Sequence, residues 1–355
     1  MSALQNSVQK MNASKQEGLI SSIECDPFWG QHKYKLTTSE IEMIFEKELY
    51  LQVIKSKAFQ RLKDIRFLGS IDYVYSVSHN KPVKKHTRYH HSLSVARLAL
   101  QYAKEKGLSE RDENLCVVSA LLHDIGHAPL SHSFESVFKE NFGIGHHVAG
   151  EKIIKGEVEL GKGLHKVLSQ WEINPFEVMM IISGKAGSPF GEIFNYSINI
   201  DTIEGILRSS TYIYSKPMIY APSQILSALT NLSENSYALL DDFWQLKEIV
   251  YSELINNHVG VLADYVCQDY MRTHSEKFKK EYYYGYEKNL KSKHQLLFDR
   301  LFAVGNNDLK VSASTSMKYT KRKFIINNNV NLVDKWSINK RYTQYKEDSI
   351  INISL

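Results

Sequence analysis

The sequence predicts a mostly α-helical protein with a small β appendage at its C terminus. Three observations predict it. Apolar residues recur at helical spacing through much of the stretch from Thr38 to about residue 300. The run from Leu115 to Leu122 is nearly all apolar, which marks a central, buried helix. Beyond residue 311 the pattern changes to β-branched and aromatic residues around an Asn-rich stretch.

Taken in order, residues 1–37 form a polar, aperiodic arm. The chain then reads as helix through TSEIEMIFEKELYLQVIKSKAFQRL, with Thr38 or Ser39 as N-cap. Ile71 to Val77 alternates in a strand-like way, and Asn80-Lys81-Pro82 signals a loop. A helix over Ser92–Lys104 carries Leu93, Ala96, Leu100 and Ala103 on one face. The buried helix spans Asn114–Asp124, and Gly126 and Pro129 end it. Further helices are expected over Phe134–Asn141, Val148–Lys155, Pro175–Ser183 and Asp201–Ser210, and residues 222–300 read as helical and more charged. The segment KYTKRKFIINNNVNLVDKWSINKRYTQYK suggests two strands around a turn. The expected organisation is therefore an arm (1–37), a core (38–215), a helical extension (216–310) and a basic, aromatic β-like tail (311–355).

Composition narrows the classes. A chain of 355 residues with 43% hydrophobic and 23% charged residues can bury a sizeable core without disulfides or structural metals. Its three cysteines, Cys25, Cys116 and Cys267, are scattered and form no CxxC, which fits a reducing compartment. MSALQNSVQKMNASKQ lacks the apolar segment of a secretory signal, and no apolar run approaches membrane-spanning length. The expectation is a cytoplasmic protein without membrane contact. A net charge of +5 is compatible with a polyanionic ligand but does not select nucleic acid.

The chemistry concentrates in LLHDIGHAPLSH, residues 121–132, which places three histidines and an aspartate directly after the apolar run. An isolated His-Asp pair at a helix end is more often an imidazolium near the helix C-terminus beside a solvated carboxylate. Here His123 and Asp124 have company. His91 opens the preceding helix in HTRYHHSLSV, and Asp201 opens a later one in NINIDTIEGILRS. Two His and two Asp make a nitrogen–oxygen donor set suited to a divalent ion: manganese, magnesium, iron, cobalt, nickel or zinc. His127, His132, Glu135 and His146, with His147, lie close by in sequence. His132 and Glu135 stand at i, i+3, so the carboxylate can orient the imidazole and raise its pKa, as a general acid requires.

The phrases RYHHSLSVA, LLHDIGHAPLSHSFE and INIDTIEGILRS, in this order, resemble the HD-domain phosphohydrolases. Together with FQRLKDIRFLGSIDYVY they are most similar to the deoxynucleoside triphosphate triphosphohydrolase branch, over about Ile41–Tyr214. The resemblance implies an HD-domain helical core. It implies His91, His123, Asp124 and Asp201 as metal ligands, and His127, His132 and His146 around the scissile phosphate. It puts Glu135 where the family has an Asp partnering the general-acid histidine, and Arg88 on the substrate phosphates. Lys84 and Lys85, in a loop longer and more basic than the family's, would help Arg88 hold the polyphosphate. The reaction implied is hydrolysis of a nucleotide to nucleoside and triphosphate, in a homo-oligomer by analogy with the family. The sequence also departs from the family. Phe67 stands for a glutamine that reads the sugar, Thr202 and Gly205 for a lysine and a tyrosine, Ser209 for an acidic residue, and His147 for a glutamate. Lys63 replaces an arginine of the family's regulatory site.

Two other readings compete. A nuclease on single-stranded DNA or RNA would use the basic, aromatic tail from Lys318 to Lys346 for backbone contact and base stacking. A non-catalytic module would only bind nucleotide, though it would have no use for His132 and Glu135.

Overall fold

The computed structural model describes residues 47–78, 86–214, 220–306, 315–332 and 335–353. The arm, the Asn80-Lys81-Pro82 loop, Cys25, Lys84 and Lys85 lie outside them. The fold is mostly helical with a two-stranded antiparallel sheet at its C-terminal end.

The first helices are α1 (Glu48–Lys55), α2 (Lys57–Arg61) and α3 (Ser70–Ser78). The pair that carries the site follows, α4 (Arg88–Glu105) and α5 (Glu110–Leu122). On α5 every side chain from Leu115 to Leu122 is buried, as its composition demands. Ser109 starts that helix by accepting the Asp112 N–H at 3.2 Å. Then come α6 (Ser131–Phe142), α7 (His146–Ile154), α8 (Lys162–Gln170), α9 (Pro175–Ile182), α10 (Gly191–Phe194) and α11 (Ile200–Ile213). The Asn199 side chain accepts the Thr202 N–H at 2.8 Å, which fixes the start of α11 and sets Asp201 in its first turn.

The extension contributes α12 (Pro222–Thr230), α13 (Glu234–Val250), α14 (His258–Thr273), α15 (Glu287–Lys293) and α16 (Gln295–Gly305). Strands β1 (Thr315–Ile326) and β2 (Tyr342–Ile353) pair antiparallel along their whole length. The sheet is anchored by Phe324 and Tyr342, whose rings pack on Trp244 of α13, while the Trp244 indole N–H donates to the Ile325 carbonyl at 3.1 Å. The tail departs from two strands around a turn: α17 (Lys335–Arg341) stands between the Asn-rich stretch and β2.

One element contradicts the sequence pattern. Ile71–Val77 is not a strand but part of helix α3. Its alternation misleads because Ile71, Asp72, Tyr73 and Val74 are all buried, where α14 and α16 pack against it. Asp72 accepts the Leu68 N–H at 2.7 Å and a short hydrogen bond from the Tyr212 hydroxyl, holding the start of the helix. Tertiary burial on several sides overrides β propensity here.

Candidate metal centre and histidine loop

Three helices and one loop converge on a single point. Main-chain pairing of residues 65–67 with 86–88 (Arg88 N–H to Ile65 O at 2.9 Å, Phe67 N–H to His86 O at 3.2 Å) sets the start of α4, and His91 follows on its first turn. The end of α5 supplies His123 and Asp124, and the start of α11 supplies Asp201. His91 Nε2 stands 3.1 Å from His123 Nε2, 3.0 Å from Asp201 Oδ1 and 3.5 Å from Asp124 Oδ2. His123 Nε2 is 3.6 Å from both aspartates. Bonds of about 2.0–2.2 Å to one ion would place adjacent donors roughly 3 Å apart. His91, His123 and Asp201 therefore fit a divalent ion, with Asp124 beside the two histidines, and the Asp201 side chain, 47% exposed, leaves a side open.

The supporting contacts orient the imidazoles. His91 Nδ1 makes a short hydrogen bond to Glu204, and His123 Nδ1 donates to the Ala120 carbonyl at 2.8 Å. Both therefore present Nε2 inward. Glu204 is in turn held by Arg208 at 2.9 Å, an ion pair with no exposed side-chain surface on either partner. Burial works against charge on His91, but Glu204 and Asp201 outweigh it and push the imidazole up to about 9. Burial would raise Asp124, yet Arg88, His123 and His127 hold its carboxyl well below the usual range. Loss of hydration would raise the Asp201 carboxyl, yet His123 and His91 hold it below the usual range.

Asp124 links this centre to a second cluster. Its Oδ2 accepts from Arg88 Nη1 at 2.7 Å, and its Oδ1 lies 3.1 Å from His127 Nε2. The His127 ring stacks on His146 with centroids 4.5 Å apart and meets His132 edge-on at 4.7 Å. Gly126 makes this possible: a Cβ there would lie 2.0 Å from the His146 carbonyl oxygen, so only glycine lets α7 come so close. Glu135 is the hub of the cluster. It accepts from His146 Nδ1 at 2.8 Å and from the His146 backbone N–H at 3.0 Å, and lies 3.2 Å from His132 Nδ1. Although burial alone would raise it, those histidines hold Glu135 well below the ordinary carboxylate range.

His132 differs from expectation in one respect. Loss of hydration lowers its pKa, with Arg88 and His146 adding to the effect, and this outweighs the lift from Glu135. Its side chain is nevertheless 62% exposed, so the ring stands at the mouth of the site. His147 lies with its ring 4.0 Å from that of His146.

Between His127 and His132 the backbone is strained. Leu130 (φ 59°) and Ser131 (φ 46°) both occupy the left-handed region, at roughly 1–2 kcal/mol each for residues with a Cβ. The bend aims Ser131 Oγ at Arg88 Nε, 3.1 Å away, while the same hydroxyl donates to the Arg66 carbonyl at 2.6 Å. Arg88 also lies over the Phe67 ring at 4.9 Å, and its Nη2 makes no hydrogen bond among the described residues.

Two of the positions that depart from the resemblance, Phe67 and Gly205, stand beside His91. The Phe67 ring packs 4.8 Å from that of His91. A Cβ at Gly205 would meet Phe67 at 3.6 Å and His91 at 3.8 Å, in ordinary contact, so the absent side chain leaves space beside the metal donors. Thr202 is half-buried and Ser209 is buried.

Sequence reasoning missed Glu204 and Lys247. Glu204 stands three residues after Asp201 and four before Arg208, a helical spacing that was there to be read. Lys247 comes from α13 and is buried, with its ammonium over the Trp244 and Phe324 rings at 4.3 and 4.6 Å. Burial pushes it down to about 7, opposed by the charge of Asp201. Nothing local in the sequence marks it.

Comparison with known proteins bears on the domain and the fold. Residues 88–174 match the HD domain family, so the chain carries an HD domain. It is 37% identical over 125 residues to the uncharacterized protein YwfO of Bacillus subtilis, covering 34% of this chain and 27% of that one. The deoxynucleoside triphosphate triphosphohydrolase SAMHD1 of Homo sapiens is 26% identical over 276 residues, covering 75% of this chain and 35% of its own. Its homolog in Dictyostelium discoideum is 24% identical over 245 residues, covering 60% and 45%. The matches thus span between about a quarter and a half of these relatives. A crystal structure of a hypothetical protein from Aquifex aeolicus superposes with a TM-score of 0.63 at 17% identity, over 85% of this chain and 92% of that one, and so shares the fold. No helix among the described residues is long and apolar enough to cross a membrane.

Proposed function

We propose that this chain is a metal-dependent phosphohydrolase acting on nucleotides, and specifically a triphosphohydrolase that releases nucleoside and triphosphate. The observation that carries the reading is Asp124, which joins the donor set of His91, His123 and Asp201 through one oxygen and the histidine cluster through the other. His91, His123, Asp124 and Asp201 would hold a divalent ion, which would supply Lewis-acid chemistry to the phosphate and to water.

The chain's own groups do the rest. Arg88, fixed through Nε and Nη1, offers Nη2 to a phosphate oxygen and offsets charge as it develops. His132, oriented through Nδ1 by Glu135, presents Nε2 at the mouth of the site to protonate the departing ester oxygen. Its lowered pKa is pushed back up once a polyphosphate brings negative charge beside the ring. His127 and His146, stacked and largely buried, wall the phosphate side. The space at Gly205 next to Phe67 belongs to the sugar or base.

The test uses metal-free protein reloaded with manganese, magnesium, cobalt or nickel and offered each dNTP and NTP, with single-stranded DNA and RNA in parallel. Nucleoside plus triphosphate, absent from His123→Ala/Asp124→Ala, is the expected product. Cleaved polynucleotide with intact mononucleotides would replace this reading with the nuclease, whose contact surface would be the exposed Lys318, Arg322 and Lys323 of β1. No turnover with any of them, but nucleotide binding retained, would leave a binding module.

A further inference from the structure

The loop that carries the cluster, Ile125 to His132, is held near its start by Arg61 of α2 and near its end by Glu287 of the distant extension, and Arg61 also meets Gly285, two residues before Glu287. Arg61, fully buried on α2, donates through Nη2 to the Ile125 and His127 carbonyls at 2.9 and 2.8 Å, and through Nη1 to the Gly285 carbonyl at 3.2 Å. Two residues on, Glu287 opens α15 and is 2% exposed. Its carboxylate accepts the Leu130 N–H at 2.9 Å, the Arg66 N–H at 3.1 Å and the Tyr73 hydroxyl at 2.5 Å. Leu130 is the first residue of the strained bend, and Arg66 is the residue whose carbonyl receives Ser131. Glu287 thus grips both sides of the contact that aims Ser131 at Arg88.

We propose that Gly285–Glu287 is a latch from the extension that sets the geometry of the histidine loop, with Glu287 as its positioning residue. A side-chain acceptor is needed because three donors converge on it, two of them backbone N–H groups that would otherwise be buried without a partner. Gly69 shows how tightly the bend is seated: a Cβ there would lie 2.2 Å from the Leu130 carbonyl oxygen, so Leu130 cannot relax toward that side. Released from Glu287, the bend is free to abandon its left-handed conformation, and Ser131 and His132 move with it. The HD domain alone, over residues 88–174, therefore lacks part of what orders its own site.

The test measures amide hydrogen exchange in the full chain, and in its kinetic arm alone it rests on the hydrolase reading. Glu287→Ala is expected to speed exchange at Leu130 by roughly tenfold or more while leaving α13 unchanged. Glu287→Gln, which keeps an acceptor, restores most of the protection, and Tyr73→Phe gives a smaller loss. In manganese-loaded protein the Ala variant lowers kcat for nucleotide hydrolysis about tenfold with KM nearly unchanged, and Gln recovers it. Leu130 exchange in Glu287→Ala equal to the parent overturns the latch, as does Gln exchanging as fast as Ala. If the Ala variant does not fold, unchanged Leu130 exchange in Tyr73→Phe overturns it instead. Absence of turnover in the parent chain counts against the hydrolase reading, and the exchange rates still decide whether the latch exists.

Discussion

At the scale of single residues, the candidate centre is defined as much by what stands behind the donors as by the donors. His91 can present Nε2 only because Glu204 occupies Nδ1, and Glu204 can be buried only because Arg208 neutralises it. Replacing Glu204 by Gln keeps the size and one acceptor but removes the charge. Metal affinity is expected to fall 10–100-fold, on the order seen for such supporting carboxylates. Titration of the apo protein with cobalt, read by its visible spectrum, checks this. Glu204→Ala goes further and strands Arg208, at a cost of about 3–5 kcal/mol in unfolding free energy. An affinity unchanged in the Gln variant would mean that His91 does not depend on this partner. The residue scale is also where the sequence was most informative. His91, His123, Asp124 and Asp201 could be picked out because each lies at a helix end in a short, chemically dense phrase. Lys247 and Glu287 could not, since they reach the site from elements 46 and 86 positions beyond Asp201, brought there only by packing.

At the scale of elements, periodicity made most helices legible and boundaries less so. Helix α4 begins at Arg88 rather than Ser92, because main-chain pairing with residues 65–67, not an apolar stripe, starts it. Helix α3 was misread because burial on several sides erases the period from which a helix is inferred. Between β1 and β2, α17 was missed because it is one short segment of only seven residues. How closely elements approach is set by residues whose role is invisible in a pattern, and Gly126 is the sharpest case. Gly126→Ala would drive a methyl group into the His146 carbonyl and the Gly150 N–H, both backbone and neither able to yield without moving α7. The expected loss is roughly 1–3 kcal/mol or more, with the His127–His146 stack opened. Gly163→Ala on α8 is the control. Nothing lies within 4 Å of its Cβ, and replacing a helical glycine there should stabilise by about 0.5–1 kcal/mol. Chemical denaturation of both variants separates a packing requirement from a general intolerance of alanine.

At the scale of the whole molecule, Glu287 ties the stability of the fold to pH. It is buried among Arg66, Tyr73 and Cys267, and loss of hydration pushes it up to about 7 from an ordinary 4.5, despite the hydrogen bonds that favour its charge. Between those two values the folded chain keeps a proton that the unfolded chain has lost. Folding is thus favoured at the acid end of the window, and this contribution disappears as pH rises through about 7. The full difference is on the order of 3 kcal/mol. Other groups act in the same range and in both senses: His127 and His147, held below their ordinary value, disfavour the folded state as the pH falls, whereas His91 in metal-free protein works the other way. The absolute profile therefore mixes several titrations, and the informative quantity is the difference between the parent and Glu287→Gln, which cannot titrate at this position. As pH rises from about 5 to 8, the parent should lose stability relative to the Gln variant. For a chain of 355 residues this is a relative fall in Tm of about 4 °C. Calorimetric scans of both proteins across that range decide it: a Tm difference that stays constant with pH would mean that Glu287 is charged throughout, and that the extension grips the histidine loop with a permanent carboxylate.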